Sequence, residues 1–349
     1  MMDLDFNTPQ GGRRAFWLSP KVLRDRLGWL LPALRDNDWD LETSELSGNA
    51  SFVNYVRLHR AVHTPSGKVL EVVEKSIRKL IGVSSLEARF YRERGMLDGS
   101  QHFQHPRCYG VIETPGESLI FSQYIRGRAP RMHAIAEPIA QGIAELERIT
   151  HAHLLAAPAR AGLRYWQMDF FRPWYLLRPR FSFARCFPHL RALALEDERF
   201  TGLEAPLRGF IAELRDAAHD VRRSPRCICH LDYLRKNLFV SPQGLQLIDW
   251  SEVKIGRIGF DAGAYLSALF RRNEMPRYEQ ARDEFLQAYE AALPPYFDSQ
   301  AALRNARYLF LLNSLWNCMR PETLAEFRAA GRLGLLREKF DYLLSLKSH

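Results

Sequence analysis

The sequence has no run approaching the roughly 20 apolar residues that a membrane-spanning helix needs. Its opening residues, Met1 to Gln10, are acidic and polar rather than a basic end followed by an apolar stretch, so no signal peptide and a cytoplasmic location are expected. Cysteine is scarce: five residues, with no CxxC pair, which argues against a disulfide scaffold or a zinc ribbon. Cys227 and Cys229 stand two apart, on one face of a strand, and are expected to be small buried residues. Lysine is scarce for so basic a chain. Of 49 basic residues only Lys21, Lys68, Lys75, Lys79, Lys236, Lys254, Lys339 and Lys347 are lysines. The formal charge of +9 is therefore carried by arginines scattered along the chain, without a polybasic run or tail. That distribution describes solvated faces rather than a nucleic-acid groove. Neither an internal repeat nor a low-complexity segment is present.

What remains is 349 residues of ordinary globular composition, with 46% hydrophobic and 26% charged residues, enough for one large domain or two lobes. Residues 17–35 read as an amphipathic helix, with Ser19 as N-cap, Pro20 in the first turn and Pro32 straining the far end. From Leu41 the texture is that of strands: LETSEL, FVNYVRLHRAV and Val69 to Ile77, with turns at 47–51 and 64–67. Ser84 and Ser85 open a helix, LEARFYRERG, that stops at Gly95. Two more strands follow, at 108–113 and 117–124. The order β-β-β-α-β-β is that of a small antiparallel sheet carrying one helix. Beyond Gly127 the pattern is helical over 131–154, 190–221 and 260–345, interrupted by a strand-rich island at 226–250. The chain is therefore divided at 1–40 (helical extension), 41–124 (sheet) and 125–349 (mainly helical).

The island reads CICHLDYLRKNLFVSPQGLQLIDW. Ser241-Pro242-Gln243-Gly244 is a turn signal between two short strands, so a hairpin is expected. If Val240 pairs near Leu245, Asn237 comes beside Ile248 and Asp249, and Asp232 enters the same end on the preceding loop. Two carboxylates and an amide oxygen suit a hard cation such as Mg2+ shared with phosphate oxygens. Phosphoryl transfer asks for such a set: charge must be neutralised and a nucleophile held in line. Asn237 and Asp249 can hold the metal, Asp232 can accept a proton from the attacking hydroxyl or orient it, and His230 is expected to brace the loop.

His230-Leu231-Asp232, Asn237 and Ile248-Asp249-Trp250 resemble the HxDxxxxN…IDW signature of the aminoglycoside phosphotransferase and choline kinase superfamily. The resemblance extends over about residues 41–270. It implies an α+β, two-lobed protein-kinase-like fold, with an antiparallel-sheet N-lobe and a mainly helical C-lobe. It implies a kinase that uses ATP and Mg2+ to phosphorylate a hydroxyl of a small molecule: an amino sugar, another sugar or an amino alcohol. The positions carry over as follows. LSGNASFVNYV resembles the phosphate-covering turn, with Gly48 allowing close approach and Ser51 donating to phosphate, although GxGxxG is absent. Alternation in β-structure puts Val73 and Lys75 on one face, so Val73 can touch adenine and Lys75 the phosphates. Glu87 matches the lysine's helical partner, with Glu93 the alternative. Backbone groups near Gln123 and Ile125 would meet adenine. Asp261 matches a later acidic position of structural role.

The sequence departs from the family at Leu231, where glycine is frequent, and at Arg235-Lys236, whose charges could touch phosphate or substrate. Leu234 replaces the lysine of many protein kinases and no DFG or APE is present, which favours a small acceptor over a protein. The remaining expectations are no nucleic-acid or membrane partner and a monomer or homodimer. The rival class is a nucleotide-binding pseudokinase or regulatory module. Three further features have two readings each. His151 and His153, at i and i+2 of a helix, point apart and are not expected to share a metal. YWQMDFFRPWY (165–175) could line a substrate pocket or pack the core. Glu274, Glu279, Asp283 and Glu284 could attract an aminated sugar or form a solvated face.

Overall fold

Strand-type alternation in the first third of the chain builds a sheet with two differently used faces. The computed structural model describes residues 20–35, 38–47, 53–79, 85–156, 168–172 and 182–346. The strands are β1 (Trp39–Ser47), β2 (Val53–His63), β3 (Val69–Arg78), β4 (Phe103–Gln104), β5 (Cys108–Glu113) and β6 (Glu117–Gln123). Five of them form one antiparallel sheet of order β1-β2-β3-β6-β5. Helix α1 (Pro20–Leu30) yields to a 3-10 turn at Pro32–Arg35, so Pro32 marks its end as its missing N–H requires. Leu23 and Leu27, one turn apart on α1, are buried with Trp39, Ala61, Val72, Leu119 and Phe121. Burying two leucines contributes roughly 3–6 kcal/mol, enough to dock this helix on its own sheet. The docking also uses charge. Glu74, on the same face as Val72, accepts from Arg26 of α1 (3.1 Å), Tyr55 (3.0 Å) and His59 (2.7 Å). Helix α2 (Leu86–Glu93) takes the other face, opened by Ser85, whose Oγ accepts from the Ala88 N–H at 3.0 Å.

The chain divides into two compact units. One comprises Met1–Asp98, Gln104–Ala129 and Phe239–Ser251; the other comprises Gly99–Phe103, Pro130–Leu238 and Glu252–His349. The island contributes β7 (Arg226–Cys229), β8 (Leu238–Ser241) and β9 (Gly244–Leu247). The turn expected at 241–244 joins β8 to β9, which are neighbours in a small sheet. A strand absent from the sequence pattern, β10 (Lys254–Arg257), pairs antiparallel with β7.

The second unit is helical: α3 (Ala136–Ala156), α4 (Phe187–Glu196), α5 (Glu204–Val221), α6 (Phe260–Arg272), α7 (Met275–Ala292), α8 (Ser299–Met319), α9 (Pro321–Ala329) and α10 (Leu333–Ser345). Every residue of α6 from Phe260 to Phe270 is buried. Small residues make this possible. A Cβ on Gly263 would stand 2.3 Å from the Ala306 carbonyl oxygen of α8. Among the described residues no helix is long and apolar enough to cross a membrane.

Candidate functional site

In the first unit, β3 and α2 bring Lys75 and Glu87 together. Lys75 Nζ lies 2.9 Å from Glu87 Oε1 and 2.8 Å from its Oε2, so Glu87, not Glu93, is the partner. A third group completes the cluster: Asp249 Oδ1, 2.7 Å from the same Nζ. The reason Asp249 reaches it lies next door. Phe90, one turn after Glu87 on α2, stacks on Trp250 with ring centroids 4.0 Å apart and planes inclined by 21°. One helix face thus positions the carboxylate and docks the segment that carries Asp249. Asp249 has φ 64°, a left-handed conformation that aspartate tolerates better than most side chains. Burial works to lower the Lys75 ammonium, but Glu87 and Asp249 outweigh it and hold Lys75 above the usual lysine range. Burial raises the Glu87 carboxyl, opposed by Lys75.

In the second unit, the loop after β7 is held by Asp261, which follows the first residue of α6. Its carboxylate accepts from the N–H of His230 (3.0 Å) and of Leu231 (2.8 Å). Leu231 needs this support, because its φ of 62° is left-handed and costs a leucine about 1–2 kcal/mol. His230 Nδ1 accepts from the Asp232 N–H at 3.2 Å, the bracing role expected of it. Asn237 Nδ2 donates to both the carbonyl oxygen and Oδ2 of Asp232, each at 2.9 Å. The arrangement fixes a half-buried carboxylate from two directions. Arg235 and Lys236 are exposed, and Arg235 Nε donates to the Pro130 carbonyl at 3.1 Å.

The other expected site residues are placed unevenly. Gly48 and Ser51 lie outside the described residues, as do Ser19 and most of 165–175. Gln123, at the end of β6, is exposed, and its N–H is engaged by the Arg107 carbonyl at 2.8 Å. Ile125 follows it, half-buried. Phe170 and Phe171 are core residues, with Phe170 edge-on to Phe260 at 5.1 Å. Glu274, Glu279, Asp283 and Glu284 form an exposed face. His151 is occupied by the Arg226 carbonyl at 2.7 Å. Among the described residues no group of three or more His, Cys, Asp or Glu forms a ready-made metal site. The Lys75–Asp249 contact had no sequence signal beyond the two residues' separate motifs. The buried Glu74 network had the alternation of β3 as its only trace.

Residues 119–301 match the profile of the phosphotransferase enzyme family. Among solved structures the chain is similar to a choline kinase from Cryptosporidium parvum Iowa II. That likeness has a TM-score of 0.56 and 12% identity and covers 93% of this chain and 94% of the other. A choline/ethanolamine kinase family protein from Mesorhizobium loti gives a TM-score of 0.49 at 12% identity, covering 94% and 95%. The streptomycin–ATP–APH(2")-IIa ternary complex gives 0.46 at 13% identity, covering 93% and 99%. No curated protein sequence matches. At 12% identity the first of these establishes the fold, which is α+β and kinase-like.

Proposed function

Because this chain belongs to the phosphotransferase enzyme family, we propose that it moves the γ-phosphoryl group of ATP to a hydroxyl of a small molecule. The observation that carries this reading is the Lys75–Glu87–Asp249 cluster. A lysine kept charged by two carboxylates is suited to phosphate oxygens, and one of those carboxylates can exchange its lysine for a metal. Asp232 is assigned as the group that orients the acceptor hydroxyl and takes its proton, with Asn237 and His230 fixing its position. The new bond joins the acceptor oxygen to phosphorus, the bond from phosphorus to the departing ADP oxygen breaks, and the proton passes through Asp232 to solvent. By donor chemistry alone (an amide oxygen and a carboxylate oxygen), Asn237 and Asp249 are assigned to Mg2+, which when bound would neutralise phosphate charge. Gly48, Ser51, Gln123 and Ile125 are assigned to the nucleotide, and amino sugars, other sugars and amino alcohols to the acceptor class.

The test is transfer itself. Wild type incubated with Mg-ATP and a panel of amino sugars, sugars and amino alcohols is followed by mass spectrometry for a phosphorylated product. Asp232→Ala should abolish transfer and spare most ATP binding; transfer at the wild-type rate would overturn the assignment. Asp249→Ala should weaken Mg2+-dependent ATP binding, and an unchanged Mg2+ response would remove Asp249 from the metal site.

A further inference from the structure

Glu147 sits on α3, fully buried, on the stripe that also carries Ile139, Ile143 and Leu146. A carboxyl in such a place must be satisfied by hydrogen bonds or stay neutral. Its Oε1 accepts from the N–H of Gly259 at 2.9 Å, and its Oε2 from the hydroxyl of Tyr289 on α7 at 2.5 Å. Gly259 is the N-cap of α6, with φ 98°. Nothing larger fits there, since a Cβ would stand 2.1 Å from the Ala302 carbonyl oxygen. Glu147 therefore anchors from outside the first turn of a helix whose second residue is Asp261. Asp261 in turn holds the amides of His230 and Leu231, next to Asp232.

We propose that Glu147 is a positioning residue for the phosphoryl transfer proposed above: acting through Gly259 and Asp261, it holds the 230–232 loop in its working conformation. The inference rests on the assignment of Asp232 as the reactive carboxylate.

Two buried carboxyls share one helix terminus, and the chemistry of the pair follows. Burial, then the Asp261 charge, pushes the Glu147 carboxyl up to about 8, against the pull of Tyr289 and of the Gly259 and Asp261 amides. Burial raises Asp261 too, opposed by His230 and by the two loop amides it accepts from. Both carboxyls are raised, and Glu147 is the one pushed into the physiological range. The other titratable groups facing Glu147 are Tyr289 of α7, Cys227 and Cys229 of β7, and Tyr233 of the loop. All four are neutral in this range because burial raises each of them. None of these four brings a positive charge to Glu147; the ring of His230 faces the Asp261 side of the pair. When Glu147 gives its proton to solvent, the pair carries two negative charges at one helix terminus, and their repulsion displaces Asp261 together with the His230 and Leu231 amides it holds.

The experiment has a kinetic and a structural arm. In the kinetic arm, kcat with a turned-over acceptor is measured from about pH 6 to 9.5 for wild type, Glu147→Gln and Tyr289→Phe. Wild type should lose kcat above about pH 8, with the KM for ATP little changed. Glu147→Gln, which keeps an acceptor for Gly259 and cannot ionise, should match wild type near neutrality and stay level at high pH. Tyr289→Phe removes a bond that favours the ionised form, so its alkaline limb should move to higher pH. Glu147→Ala should lose about 10–100-fold in kcat at every pH, the scale of a misplaced reactive group. In the structural arm, amide hydrogen exchange of 230–232 is compared at about pH 7 and 9, corrected for intrinsic rates. Protection should fall in wild type and hold in Glu147→Gln. A Glu147→Gln profile with the same alkaline limb, or protection that falls equally in both proteins, would overturn the proposal. A wild-type chain that phosphorylates no acceptor would remove the proposed function and leave the exchange comparison standing.

Discussion

Lys75 and Asp249 are 174 residues apart in sequence and 2.7 Å apart in space. Their contact makes Lys75 the shared counter-charge of two carboxylates, and a substitution there strikes both stability and chemistry. Lys75→Met should strand Glu87, whose side chain is 4% exposed, and lower unfolding free energy by about 3 kcal/mol at neutral pH. It should also lower kcat/KM by about 100-fold or more. Urea unfolding and steady-state kinetics read the two losses separately. A variant as stable as wild type would show that the cluster contributes little to the fold.

The Glu74 network on the opposite face sets an acid limit. Burial works to raise the Glu74 carboxyl, but hydrogen bonds from His59 and Tyr55 and the charges of His59 and Arg26 prevail and lower it. A carboxyl lowered on folding contributes stability above its unfolded range and loses it as pH falls through the folded value. Glu74→Gln should therefore melt below wild type at neutral pH, with the gap closing below about pH 4.5. Thermal melts across pH check this; a gap independent of pH would mean that the charge is immaterial.

Glu147 sets the opposite limit. Its carboxyl is raised to about 8, so the folded chain binds a proton that the unfolded chain has released. Stability should then fall as pH rises from about 4.5 to about 8. In Glu147→Gln that slope should flatten. Melting curves of the two proteins across the window suffice, and parallel curves would contradict the assignment.

Leu231 poses a contest between two effects. Replacing it with glycine relieves a left-handed leucine, a gain of about 1–2 kcal/mol. The same change removes a side chain only 6% exposed, a loss of about 2–5 kcal/mol. Burial is the larger effect, so Leu231→Gly should be destabilised by about 1–3 kcal/mol. Equilibrium unfolding decides it, and a stabilised variant would mean that backbone strain dominates.

Much of this was legible in the sequence because it is local. Alternation placed Lys75 and Glu74 on opposite faces of one strand, and helical spacing put Glu87 and Phe90 on one face of α2. Turn chemistry set the hairpin at 241–244, and the loop motif marked Asp232 and Asn237 as neighbours. Other features had no local trace. β10 is four residues long and pairs with β7, a strand distant in sequence. Leu231 adopts a conformation that leucine does not choose, imposed by an aspartate 30 residues away.

The sequence by itself determined which charged and amide residues stand at motif positions and which short elements present them, since periodicity and turn propensity act over a few residues. Only the tertiary structure decided that Lys75 answers to Asp249 as well as Glu87, that α1 docks on its own sheet, and that Glu147 stands behind the Asp232 loop. Those outcomes depend on burial: removing water makes each isolated charge costly, and the chain meets that cost with partners distant in sequence.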